Sequence, residues 1–243
     1  ITLGSATTLA VTNVNATLGS ANTSLVFPNA TDLSIAVGKS ESDANTAAID
    51  LTTLTTASAK SITLGGSGID AATGAGYIAA IDIATLVSAK LTSLTLDLDQ
   101  GDITLGTVTA AKLASVTATG DNDLSFGASG GSTAALASFD ASTATGTITI
   151  GQAIDLTASA SVKTGTANDT VTLDVLTEGN VALDMGEKTA DNDTLSISGT
   201  NNMGLTVVDL SGADQLTQVN GAINSAAQVG IESINLSGLT GSF

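Results

Sequence analysis

The sequence predicts an all-β fold, a parallel β-helix or β-solenoid with coils of about 23 residues. Three observations lead there. The first is composition. Thr, Val and Ile favour strands and Gly, Asn and Asp favour turns, and the 243 residues include 26 Gly but only one Pro, Pro28. The second is a recurring pattern: an apolar residue, Thr or Ser, an apolar residue, usually then Gly. It reads Ile1-Thr2-Leu3-Gly4, Ile62-Thr63-Leu64-Gly65, Ile103-Thr104-Leu105-Gly106, Leu124-Ser125-Phe126-Gly127 and Ile148-Thr149-Ile150-Gly151. Without the glycine it continues as Val171-Thr172-Leu173-Asp174 and Leu195-Ser196-Ile197-Ser198, with a late echo in Ile234-Asn235-Leu236-Ser237. The third is a second marker with the same period: Ser93-Leu94-Thr95-Leu96, Ser115-Val116-Thr117-Ala118, Ser138-Phe139-Asp140-Ala141 and Ser161-Val162-Lys163-Thr164.

From position 103 the first pattern recurs at 124, 148, 171 and 195, in steps of 21, 24, 23 and 24, and the second recurs in steps of 22, 23 and 23. Two markers sharing one period imply a coil with two short strands, in which alternate residues face inward and the middle Thr or Ser faces out. Stacking such coils puts equivalent residues in columns and buries a continuous narrow core. The expected buried pairs are Ile103/Leu105, Leu124/Phe126, Ile148/Ile150, Val171/Leu173 and Leu195/Ile197. The third part of each coil is Ala-rich, as in Ala110-Ala111-Lys112-Leu113, and reads as a short helical turn or an extended wall. An antiparallel sandwich is the other architecture that short strands and many turns suit.

One continuous domain is expected, in three parts. Residues 1–92 form irregular N-terminal coils, with residues 38–45 and 66–76 read as insertions that loop out. Residues 93–198 are the regular coils with Asp/Asn-rich turns. Residues 199–243 are irregular coils or a cap, with residues 214–228 more helical in pattern.

Composition also narrows function. The chain has no Cys, His, Trp or Arg, and one Tyr, Tyr77. Cys or His nucleophile chemistry and zinc-thiolate sites are thereby excluded. Two carboxylates can cleave a glycosidic bond, but the aromatic platforms and cations that hold sugars are lacking, so the chain is read as a non-enzyme. The formal charge is -17, from 23 acidic residues and 6 lysines. Such a surface repels nucleic acid and anionic membranes. No apolar run approaches the roughly 20 residues of a membrane helix. The chain does not begin with Met and is read as a fragment or a processed product, so the missing signal peptide is silent on secretion.

Asp and Asn gather just before the second strand, as Gly101-Asp102, Asp121-Asn122-Asp123, Asn168-Asp169 and Asp191-Asn192-Asp193. Oxygen-rich turns at fixed spacing suit a hard cation such as calcium, which takes six to eight oxygen ligands. The candidate metal residues are Asp102, Asp121, Asp123, Asn168, Asp169, Asp191 and Asp193. The competing reading is structural, because Asp and Asn side chains bond nearby backbone in turns. Asp97 and Asp99 lie on one strand face beside the Asp102 turn and either join the site or form a solvated face. Lys60, Lys90 and Lys112, each after a Ser-Ala or Ala-Ala pair, read as edge-protecting charges or as partners for a neighbouring molecule's carboxylates.

The segment Thr164-Gly165-Thr166-Ala167-Asn168-Asp169-Thr170-Val171 resembles the glycine- and aspartate-rich nonapeptide of RTX proteins, and Asp191-Asn192-Asp193-Thr194-Leu195 is a weaker copy. The Thr/Ala/Gly-rich setting without Cys or Arg is similar to RTX-type bacterial surface-layer proteins. The chain departs from them in largely lacking paired glycines and in its longer period. The resemblance places Asp169 and Asp193 at the motif's ligand aspartate, with Asp121 and Asp123 as looser matches. It implies Ca2+ as the bound ion, an extracellular location on a bacterial surface, and a structural protein that associates with copies of itself in a lattice. Any hold on cell-surface polysaccharide would come from regions outside this chain. The alternatives are an adhesin or other repeat-based binding module, and an ice-binding solenoid built on Thr147/Thr149 and Thr170/Thr172.

Overall fold

The computed structural model describes residues 1–4, 6–12, 17–38, 48–65, 80–99, 101–127, 131–133, 135–154, 156–174, 182–186, 192–199, 205–206, 218–219 and 233–239. The expected insertions at 38–45 and 66–76 and the helical stretch at 214–228 lie almost wholly outside these residues.

The chain runs through β1 (Thr8–Thr12), β2 (Thr17–Phe27), β3 (Asp32–Gly38), β4 (Ala48–Thr56), β5 (Ser61–Gly65) and β6 (Ala80–Ser88). It continues through β7 (Ser93–Asp97), β8 (Ile103–Thr109), β9 (Ser115–Thr119), β10 (Leu124–Phe126), β11 (Gly131–Ser132), β12 (Leu136–Asp140) and β13 (Ile148–Ile154). The last elements are β14 (Leu156–Lys163), β15 (Thr170–Asp174), β16 (Ala182–Asp184), β17 (Thr194–Gly199), β18 (Leu205–Thr206), β19 (Gln218–Val219) and β20 (Ser233–Leu239). No helix occurs among the described residues.

Successive strands alternate between two sheets. One has the order β2-β4-β6-β8-β10-β13-β15-β17-β20, with β11 beside β8, and the other has β1-β3-β5-β7-β9-β12-β14-β16. All pairs in both sheets are parallel, and the one antiparallel pair described is β18 with β19. This is a parallel β-solenoid rather than a sandwich. The Ala-rich corners are tight turns, closed by bonds from Leu113 N–H to the Ala110 carbonyl and from Leu136 N–H to the Thr133 carbonyl, both at 2.7–2.9 Å.

Alternation explains the two-sheet arrangement. Ile81, Ile83, Ile103, Leu105, Leu124 and Phe126 point in from one sheet, and Leu94, Leu96, Val116, Ala118 and Phe139 from the other, into one shared cluster. The interior is narrow because it is mostly aliphatic. Within it Phe126 meets Phe139 edge to face, centroids 5.4 Å apart, an arrangement aromatic rings prefer.

The Ser-x-Thr marker stacks as its spacing predicts. Ser93 pairs with Ser115, Ser115 with Ser138 and Ser138 with Ser161, and the column extends back to Ser61. On the other sheet Ile103, Leu124 and Ile148 stack, as do Leu105, Phe126 and Ile150. There the expected columns break. Ile150, not Ile148, pairs with Val171, and Thr149 pairs with Thr170. The motif beginning at Val171 is thus displaced by two residues from the motif beginning at Ile148. The next step, Val171 on Leu195, is regular. Leu173 and Ile197 hold their places in the ladder, but burial of their side chains lies outside the description. The displacement puts Asp169 under Ile148 and Asp193 under Asp169, in the column that runs through Ile49, Ile81, Ile103 and Leu124.

Close stacking at the corners needs glycine at particular points. Gly186 has φ +83°, in the left-handed region, and a Cβ there would strike the carbonyl oxygen of Gly165 in the preceding coil.

Candidate functional site

Asp and Asn gather where each coil leaves the second sheet and re-enters the first. Most of the sequence-derived candidates meet there, in two ladders of side chain to backbone bonds.

One ladder is solvent-facing. Asp102 Oδ1 accepts the N–H of Asp123 at 3.0 Å, and Asp123 Oδ1 accepts the N–H of Thr147 at 2.8 Å. Two coils later Asn168 Oδ1 accepts the N–H of Asn192 at 2.9 Å. Each side chain therefore holds the backbone of the coil that follows it. Asn122 bonds across the same corner, donating from Nδ2 to the Leu98 carbonyl at 2.5 Å and to Asp121 Oδ1 at 3.0 Å.

The other ladder is buried and runs in the opposite direction. Asp169 Oδ1 accepts the N–H of Ile148 at 2.7 Å, its Oδ2 accepts the N–H of Gly165 at 3.1 Å, and Asp193 Oδ1 accepts the N–H of Asp169 at 2.7 Å. Asp169 is 1% exposed and Asp193 0%. A carboxyl in an apolar column is costly unless hydrogen-bonded. Here it meets backbone donors at a corner where the ladder of strand bonds is interrupted. Burial thus separates two of the candidates from the rest: Asp169 and Asp193 are inside, whereas Asp121 and Asp123 are exposed and Asp102 is half-buried. Asp191 lies outside the described residues.

Among the described residues no three of His, Cys, Asp and Glu gather where they could hold a metal ion. One or both carboxylate oxygens of Asp102, Asp123, Asp169 and Asp193 accept backbone N–H groups instead. Asp97 and Asp99 meet in a turn, Asp99 N–H donating to Asp97 Oδ1 at 3.1 Å. Burial pushes the Asp97 carboxyl above the ordinary value; the bond from the Asp99 backbone opposes this and the Asp99 charge adds to it.

The sheet faces carry further charges. Asp50 lies beside Asp82 on the next coil, and burial first, then the Asp50 charge, raises the Asp82 carboxyl. This pair was legible in the matching segments Ile49-Asp50-Leu51 and Ile81-Asp82-Ile83, the same apolar-polar-apolar pattern with Asp in the middle. On the other sheet Asp140 pairs with Lys163, and Lys163 with Asp184, at 3.8 Å for the latter ion pair. Bonds from the Ser142 hydroxyl and N–H hold Asp140 below the ordinary carboxylate value, with Lys163 adding to the effect.

The outward Thr array also changes with the register. Thr149, Thr170 and Thr194 share a column with Thr104 and Ser125, while Thr147 sits in the column of Asp102 and Asp123. A further hydroxyl surface is on the second sheet, where Ser61, Ser93 and Ser115 run beside Thr63, Thr95 and Thr117.

No protein-family model matches the chain, and no curated protein or solved structure matches it at a significant level.

Proposed function

We propose that this is a structural surface-layer protein that self-assembles into a calcium-dependent extracellular lattice on a bacterial cell. The observation that carries the reading is the register itself. Ser61, Ser93, Ser115, Ser138 and Ser161 occupy one outward column on five successive coils, with Thr63, Thr95 and Thr117 in the next. A tile needs extended faces of constant geometry, and parallel coils repeat theirs at the strand spacing, about 4.8 Å. Composition agrees: the chain has no His, Cys or Arg for chemistry, and a charge of -17 keeps a repetitive β protein soluble until it is neutralised.

Calcium enters this reading at the exposed carboxylates. Asp123, exposed at its corner, is one of them, and the chain as a whole carries a formal charge of -17. Cations drawn there relieve the repulsion between like-charged molecules and supply the missing attraction between them. The chain's partner is therefore itself, and it is read as non-catalytic. The test is sedimentation velocity in millimolar calcium, with sodium chloride at matched ionic strength as the control. Association in calcium alone supports the proposal. A monomer under both conditions sinks it.

An adhesin is the second reading, favoured by the hydroxyl columns of the second sheet. A chain that stays monomeric in calcium yet binds insoluble polysaccharide would replace the first reading with this one.

A further inference from the structure

The two edges of the solenoid carry opposite charge. Each coil leaves the first sheet at one corner and the second sheet at the other, and both sheets close over one core, so the corners lie on opposite edges. At the first corner Lys60, Lys90 and Lys112 are exposed. Ser93 pairs with Ser115, which puts Lys90 and Lys112 at the same position of adjacent coils, with Lys60 two positions further along on the coil before. Among the described residues none of the three forms an ion pair; the pair found is Lys163 with Asp184. Asp32 lies across the coil step from Lys60, but the Ser61 and Thr31 hydroxyls bind it and Lys60 influences it only in last place. At the second corner, Asp97, Asp99 and Asp102 of one coil stand beside Asp121 and Asp123 of the next, and the corner segments 97–102 and 120–123 hold no lysine.

Like charges stacked at strand spacing repel, and here neither column forms an ion pair on its own edge among the described residues, Asp32 being bound by Ser61 and Thr31. The same coils set the spacing of both columns, so the repeat of one matches the repeat of the other. We infer that the lysine edge of one molecule docks against the aspartate edge of a second copy laid alongside it. This inference rests on the layer reading and names its lateral contact. The contact is heterologous, and because it uses opposite edges it does not close on itself, so repetition extends a sheet.

The test uses the full chain in calcium, with assembly followed by sedimentation velocity and folding by circular dichroism. K90E/K112E and D99K/D121K change exposed residues outside both Asp ladders. Each variant brings like charges together at the contact, and the concentration needed for assembly should rise about tenfold or more. The chain carrying all four changes should return to within about threefold of wild type, and an equimolar mixture of the two double variants should co-assemble. Single-edge variants that assemble like wild type would overturn this contact and leave the layer reading intact. A fourfold variant as weak as the double variants would also overturn it and assign the lysines to another partner, such as an acidic polysaccharide. A wild-type chain that stays monomeric would overturn both.

Discussion

Replacing Asp169 with Ala removes the acceptor of two buried backbone donors, Ile148 N–H at 2.7 Å and Gly165 N–H at 3.1 Å. The side chain is 1% exposed, so water does not readily take its place. Leaving a buried donor unsatisfied costs about 1–3 kcal/mol, and two of them give about 2–6 kcal/mol. Domains have total stabilities of about 5–15 kcal/mol, so the loss should be large. The matched comparison is Asp123→Ala. It removes one bond, to Thr147 N–H at 2.8 Å, from an exposed residue, and solvent replacement should limit its cost to about 0.5–1.5 kcal/mol. Urea denaturation at constant m-value measures both, with chelator and with calcium. The rung role predicts that the Asp169 loss persists in chelator. An Asp169→Ala chain as stable as Asp123→Ala in chelator would refute the buried ladder. A loss seen only in calcium would make Asp169 a metal ligand instead.

Three other expectations follow from the packing and charges. Phe126→Ala should destabilise by about 3–5 kcal/mol, and a double-mutant cycle with Phe139→Ala should give a coupling of about 0.5–1.5 kcal/mol if the ring contact is as described. Gly186→Ala should lose about 1–2 kcal/mol for the left-handed conformation alone, and more from contact with the Gly165 carbonyl; an unchanged melting temperature would contradict the corner geometry. Asp82→Asn tests the raised carboxyl. Ionising Asp82 is harder in the folded chain, so the penalty is fully present above its raised folded value and disappears below the ordinary one. The variant should melt about 1–2 °C higher at neutral pH, and the gain should vanish near about pH 3.

The coil was legible in the sequence where two markers share a period. Ser93, Ser115, Ser138 and Ser161 stack as their spacing predicts, because each lies next to apolar residues that must face the core. The step from Ile148 to Val171 was misread for a physical reason. A slip of one residue exchanges the two faces of a strand, but a slip of two keeps inward residues inward. Alternation therefore cannot distinguish Ile148 from Ile150 as the partner of Val171. The choice falls to the corner at residues 164–169, where Asp169 bonds to Ile148 and Gly165. In the first 92 residues, strands β2, β4 and β6 pair in turn towards β8, with a register shift in β2 between Ser20 and Ser24, but connections of unequal length hide the period. The Asp/Asn turns were found, though not the division into buried and exposed ladders, which depends on which coil each side chain reaches.

The layer itself is tested most directly by electron microscopy of the purified chain, in calcium and in sodium chloride at matched ionic strength. The account predicts ordered two-dimensional arrays in calcium that disperse on chelation. Discrete particles under both conditions, at concentrations where the chain is folded, would contradict it.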